Sequence, residues 1–158
     1  MKHPYLFITE SRVSNPNQIT RYAVEKKFKI CLINAIKAGK NIFIPSDSAN
    51  ISLEIIIIIE KILSEYYTKA KEENLQVIPY RILFCNYCSN KIIEDVKTQI
   101  EWMCSEISKQ FYNFNENPFS FQYLQCVTDL NQFNEYKSTN HIIVSSNESL
   151  DLGFSNVI

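Results

Sequence analysis

The stretch Asn41–Leu63, NIFIPSDSANISLEIIIIIEKIL, decides how the rest of the chain is read. Asn41 to Ile44 is a short apolar run, and Pro45 ends it because proline has no N–H to continue a ladder. Ser46-Asp47-Ser48-Ala49-Asn50 is rich in residues whose side chains cap helix starts. A helix is then expected from about Ile51 to Ala70. Its apolar residues nearly encircle it through Ile59, which predicts burial on more than one side. Its end, Lys69 to Asn74, is charged and solvated. The run Ile55–Ile59 is framed by Glu54 and by Glu60-Lys61, and it is far shorter than the roughly 20 apolar residues of a membrane span. A strand, a capping loop and a buried helix in that order are the opening of a parallel βαβ unit.

The same alternation continues in both directions. Upstream, Tyr5 to Thr9 reads as a strand and Asn15-Pro16-Asn17 as a break. A helix follows from about Gln18 to Ala38, with Val24, Phe28, Cys31, Leu32, Ala35 and Ile36 on one face. Gly39 is its natural cap, since glycine accepts positive φ at little cost. Downstream, Val77 to Phe84 is a strand. Ser89 caps a third helix expected over Asn90–Tyr112, with Ile92, Val96, Ile100, Met103, Ile107 and Phe111 recurring every three or four residues. Trp102 lies beside that stripe and is expected to be a largely buried anchor, or to pack at an interface. Asn113 to Pro118 is a polar loop, Phe119 to Gln125 a strand, Asp129 to Tyr136 a short helix and His141 to Ser145 a last strand. Leu150 to Ile158 reads as a helix start. The pattern predicts an α/β fold, a three-layer αβα arrangement with a mainly parallel sheet and helices on both faces. Functional loops in such sheets lie at the carboxyl ends of the strands, here Glu10–Asn17, Pro45–Asn50, Cys85–Ser89, Cys126–Asp129 and Ser145–Leu150.

With 158 residues, 46% hydrophobic and 21% charged, the chain can build one ordinary core. A net charge of −1 supplies no global field to draw it onto nucleic acid or an anionic membrane, so RNA contact would need a local patch. The start, Met1-Lys2-His3-Pro4, lacks the apolar stretch of a signal peptide. With the odd count of five cysteines, this favours reduced thiols in the cytosol or nucleus.

Few residues carry chemistry. Cys85-Asn86-Tyr87-Cys88 is a lone CxxC between a strand and a helix start, where a thiolate gains stabilisation. A zinc site would need further ligands at matching spacing, and Cys31, Cys104 and Cys126 are far off in sequence. His3 and His141 are the only histidines, one in the expected frayed start and one opening a strand, and both read as ordinary residues. Asp47 beside two serines reads as a loop cap, with metal binding or proton acceptance as its sharper alternative. Two glycines in all exclude the Gly-rich phosphate loops and the Gly-x-Ser-x-Gly elbow. No complete catalytic or metal-binding set is present, and no cofactor is expected.

Several segments in order resemble one family. Asn41-Ile42-Phe43-Ile44-Pro45-Ser46-Asp47-Ser48-Ala49 with Leu53-Glu54 is similar to the pattern NVLIxVDTAGRVLEL. Ile93-Glu94, Lys97 and Gln99-Ile100-Glu101-Trp102-Met103 match its VE…KSQVEWM, Asn117-Pro118-Phe119-Ser120-Phe121 its NPFQF, and Leu150-Asp151-Leu152-Gly153-Phe154-Ser155 its LECGFS. The chain resembles the β-CASP domain of the metallo-β-lactamase RNA-processing family, and most resembles its non-catalytic branch. Asp47 favours that branch, because the endonuclease branch tends to carry an aromatic there. Asn50-Ile51 stands where the family has Gly-Arg, whose arginine would suit a phosphate. Ser11-Arg12-Val13-Ser14 departs from the Ser-Thr-Tyr-Gly of active nucleases.

The resemblance implies a single β-CASP domain over residues 1–158. Residues 1–10 and the C-terminal end would be junctions to a metallo-β-lactamase domain whose zinc site it lids. Glu10 matches the family's motif A acid, expected to be non-functional here, and the zinc ligands and the HxHxDH signature lie outside the chain. The implied role is a non-catalytic lid and scaffold in nuclear pre-mRNA 3′-end cleavage and polyadenylation. The implied partners are the paralogous endonuclease and scaffold proteins, with pre-mRNA as a further candidate and no membrane. The competing expectations are the β-CASP domain of an active zinc-dependent RNA endonuclease, and a redox domain using Cys85 and Cys88.

Overall fold

The computed structural model describes residues 20–47, 49–103, 117–136 and 139–156. The expected strand Tyr5–Thr9, the break at Asn15–Asn17, Glu10, His3, Cys104 and the third helix beyond Met103 lie outside the described residues.

The chain forms α1 (Arg21–Lys37), β1 (Ile42–Pro45), α2 (Ala49–Glu72), β2 (Arg81–Cys85), α3 (Ser89–Thr98), a 3₁₀ turn (Ile100–Trp102), β3 (Leu124–Val127), α4 (Leu130–Glu135), β4 (His141–Ser145) and a closing 3₁₀ turn (Phe154–Asn156). The four strands make one parallel sheet in the order β1-β4-β2-β3. Register places Ile42, Ile142, Ile82 and Leu124 in one row, and Ile44, Val144, Phe84 and Cys126 in another. Strand side chains alternate between faces, so these two rows share a face. They pack against Leu32, Ile36, Ile56, Ile59, Ile62, Leu63 and Ile93 of α1, α2 and α3. The intervening rows carry Ile143, Leu83, Cys85 and Val127 to the other face, against Phe133 of α4 and Phe154.

Handedness explains this division. The crossovers from β1 to β2 and from β2 to β3 run in one direction along the sheet, whereas the connection from β3 returns to β4 between them. Right-handed crossovers then put α2 and α3 on one face and the returning α4 on the other. The three-layer α/β architecture read from the sequence is present, with a thinner second helical layer among the described residues.

Local causes fix the element ends. Thr20 caps α1, its side chain accepting from Ala23 N–H at 3.4 Å. At the far end Gly39 has φ +65°, and the N–H groups of Gly39 and Lys40 donate to Ile36 and Ala35. The α1 stripe is narrower than expected. Phe28, Leu32 and Ile36 face the core, but Val24 and Cys31 are exposed. Phe28, Leu32, Ile33 and Ile36 make the core contacts of α1, and Cys31 lies to one side of them. In α2, Ile56 and Ile59 are fully buried, while Ile55 and Ile58 pack on the main core and Ile57 on a second cluster with Val96, Ile100 and Phe119. The helix is wedged between α1, the sheet and α3, as its encircling apolar pattern predicted.

Three expected boundaries move. β2 starts at Arg81 and not at Val77, because Pro79 has no N–H and the Tyr80 N–H donates to the Tyr67 hydroxyl at 2.6 Å. β3 starts at Leu124 and not at Phe119. The Gln122 and Tyr123 N–H groups donate to the Glu60 carboxylate, the latter at 3.0 Å, where a ladder would have needed them. α3 ends at Thr98, whose hydroxyl donates to Asp95 O at 2.8 Å, and a 3₁₀ turn follows. Trp102 on that turn is 89% exposed, which corrects the expectation of a buried anchor. The turn rotates residue 102 away from the stripe that buries Val96 and Ile100.

Candidate functional site

The carboxyl edge of the sheet gathers Pro45, Ser145, Cys85 and Val127 in one row. Beyond it the loops are tied together by main chain. Ser46 N–H donates to Ser145 O at 2.8 Å, and Asn86 N–H to Val127 O at 3.1 Å. The Ser46 and Ser52 hydroxyls lie 2.8 Å apart and are buried. This pair joins the β1 loop to the first turn of α2. Asp47, next in the loop, is exposed.

The segment after β4 folds back as a clasp. Ser155 N–H donates to Ser146 O at 2.8 Å, and the Ser155 hydroxyl accepts from Asn147 N–H at 2.7 Å. The same oxygen lies 2.6 Å from Asn147 O, to which it donates. Gly153 has φ +75°, and a Cβ there would sit 2.8 Å from Ser146 O. Glycine is therefore required both by backbone conformation and by the close approach. Phe154 is fully buried and packs on Tyr87, ring centroids 4.6 Å apart. The Leu150–Ser155 motif is thus a structural lock on the loop after β4, where its residues alone suggested only a helix start.

The CxxC pair is split by its surroundings. Cys85 is buried in β2, and burial pushes its thiol up to about 12. Cys88 is exposed at the start of α3, its N–H donating to Asn86 Oδ1 at 2.9 Å. Burial also raises the half-buried Cys126 thiol, partly offset by the Ser89 hydroxyl and Lys97. A redox centre needs a depressed thiol pKa, and burial shifts Cys85 in the opposite direction.

His141 is buried at the first position of β4. Its N–H donates to Asn41 Oδ1 at 3.2 Å, its Nδ1 lies 2.6 Å from Thr139 O, and its ring meets Phe133 edge-on at 6.1 Å. These contacts make it a strand anchor. Among the described residues no group of three or more His, Cys, Asp or Glu is placed to hold a metal ion. Among them too, no helix is long and apolar enough to cross a membrane.

Two features escaped the sequence. Glu60 is a half-buried carboxylate at the end of the isoleucine run, clamping the chain before β3. Burial raises its pKa, opposed by the Gln122 and Tyr123 amides. Beside it, an open trough of about 640 Å³ lies between α2 and residues 117–123. A single acid in a helix gives no periodic signal, and the trough depends on the displaced start of β3.

No family model matches the chain. It is 26% identical over 155 residues to "Probable cleavage and polyadenylation specificity factor subunit 2" of Drosophila melanogaster, a match covering 98% of this chain and 20% of that protein. It is 27% identical over 158 residues to "Cleavage and polyadenylation specificity factor subunit 2" of Oryza sativa subsp. japonica, again 98% of this chain and 20% of the relative. An endoribonuclease of Candida glabrata is 24% identical over 132 residues, 83% of this chain and 16% of the enzyme. The chain thus spans about a fifth of the length of the subunit 2 proteins it matches. Matches covering 98% of the chain take in all of its described elements, and the chain is similar over that length to cleavage and polyadenylation specificity factor subunit 2.

Proposed function

We propose that the chain is the β-CASP domain of a non-catalytic subunit of the pre-mRNA 3′-end cleavage and polyadenylation machinery, acting as lid and scaffold in the nucleus. The observation that carries this reading is the extent of similarity. Subunit 2 proteins match 98% of the chain, whereas the endoribonuclease matches 83%. Asp47 and the Asn50-Ile51 pair support it, since both depart from the active branch as the resemblance describes it. Among the described residues no ligand set for a zinc is brought together. Its partners would be the paralogous endonuclease and the scaffold proteins of the complex.

The second reading, a domain of an active zinc-dependent RNA endonuclease, is favoured by the match to the endoribonuclease. Affinity purification of the tagged full-length parent separates the two. The proposal expects a separate endonuclease subunit and scaffold proteins in stoichiometric amounts. A parent recovered as the sole metallo-β-lactamase chain of its complex would overturn it.

A further inference from the structure

The negative net charge hides a local reversal. On α1, Arg21, Lys26, Lys27, Lys29 and Lys37 face a single acid, Glu25, which is bound to Arg21. Lys29 reaches across to Glu65 of α2. Lys61 and Lys69, one turn to either side of Glu65, act on the same carboxylate and with Lys29 hold it below the usual range. Glu65 is thus paired with Lys29, and Lys61 and Lys69, on the same helix, are exposed. Arg21 binds Glu54, and Glu72 and Glu73 lie at the far end of α2, so the crest between them is cationic.

Lys61 also forms one lip of the trough described above, with Ser64 beside it. Asn117, Phe121, Gln122 and Tyr123 line the other side. Phe121 is half-buried and meets Phe119 edge-on at 6.2 Å, which fixes its ring. The Glu60 carboxylate is turned inward onto the Gln122 and Tyr123 amides, so its charge is engaged by the protein. The volume falls within the roughly 300–1,000 Å³ of ordinary ligand pockets. A cationic crest beside a groove with aromatic rings and amide side chains is the combination by which proteins hold single strands: phosphates on lysines and a base against a ring.

We propose that this crest and trough bind single-stranded RNA, with phosphates along Lys29, Lys61 and Lys69 and one unstacked base beside Phe121. A duplex keeps its bases stacked and could use only the crest. An acidic protein segment would use the crest and leave the trough unused. The choice of RNA over DNA rests on the function proposed above, whereas the site itself stands on the charge and the groove.

The test is fluorescence anisotropy of the full chain with a labelled 12-nucleotide oligouridylate, read from low to moderate salt. Lys61→Glu with Lys69→Glu should weaken binding at least tenfold. Loss of two phosphate contacts should also flatten the slope of log K against log salt by about 1.4. Lys40→Glu with Lys91→Glu changes net charge equally, away from the trough, and should weaken it less than threefold. Phe121→Leu keeps an apolar filler but removes the stacking face, and should cost about fivefold or more. All these variants alter exposed or half-buried groups, and circular dichroism checks that each folds. Equal losses in both charge-reversal pairs, a duplex bound as tightly as the single strand, or polyglutamate bound in preference to RNA would overturn the proposal. So would no measurable RNA binding. A parent that co-purifies with a separate endonuclease while this chain ignores RNA sinks this inference alone. RNA binding here by a sole metallo-β-lactamase chain sinks only the earlier one.

Discussion

At the residue scale, the informative positions are those where a side chain takes a partner that the backbone pattern would have assigned elsewhere. Glu60 is the clearest. Burial raises its pKa above its ordinary 4.5. A carboxyl whose folded pKa exceeds its unfolded one adds stability that is fully present below the unfolded value. That stability is lost as pH rises through the folded value. Glu60→Gln keeps an acceptor for the Gln122 and Tyr123 amides without the charge. Chemical denaturation from pH 4 to 8 should show the variant at least as stable as the parent at neutral pH, with a shallower fall as pH rises. A variant much less stable at pH 7, with the pH dependence intact, would contradict this account of Glu60. Gly153→Ala belongs to the same scale. A positive φ and a Cβ at 2.8 Å from a carbonyl should cost about 1–3 kcal/mol in urea unfolding. Trp102→Ala, by contrast, removes an exposed ring and should change stability by less than about 0.5 kcal/mol. The indole should emit as a water-exposed one until a partner covers it.

At the element scale, the reading from sequence succeeded where packing alone decides and failed where side chains compete for backbone groups. β4 falls at His141–Ser145, as expected, because every residue of it is buried and Ile142 to Ser145 pair on both sides. α2 was legible because its isoleucines surround the helix, and it is indeed enclosed by three neighbours. Ile59→Ala should therefore cost about 2–5 kcal/mol, seen as a lower denaturation midpoint. β2 and β3 began late because Tyr67 and Glu60 take the amides that would have extended them. No periodicity foretells such bonds. The third helix looked continuous since its apolar spacing survives the 3₁₀ turn at Ile100–Trp102, even though its direction changes. The CxxC pair shows the same limit. Spacing placed both cysteines in one loop, but only the fold reveals that Cys85 is buried in a strand while Cys88 is exposed. A thiol reagent should label Cys88 in the native protein and reach Cys85 only on unfolding; native labelling of Cys85 would refute its placement.

At the scale of the whole molecule, the sheet topology sends the loops after β1, β2, β3 and β4 to one edge. The described residues use that edge for structure: a serine pair, a glycine-dependent clasp and a buried aromatic. Positive charge and an open groove lie instead on the outer surface of α1 and α2 and beside residues 117–123. The candidate site at the strand ends was legible by topology, while the cationic crest was not, because a net charge of −1 averages it away. On the function proposed above, the domain holds partners and strands, and cleavage is carried out by another chain. The most direct measurement is cleavage of a labelled pre-mRNA carrying a polyadenylation signal by the purified full-length parent, with and without its endonuclease partner. The account predicts an intact substrate with the parent alone and cleavage only when the partner is added. Cleavage by the parent alone, abolished by a chelator and restored by zinc, would contradict it.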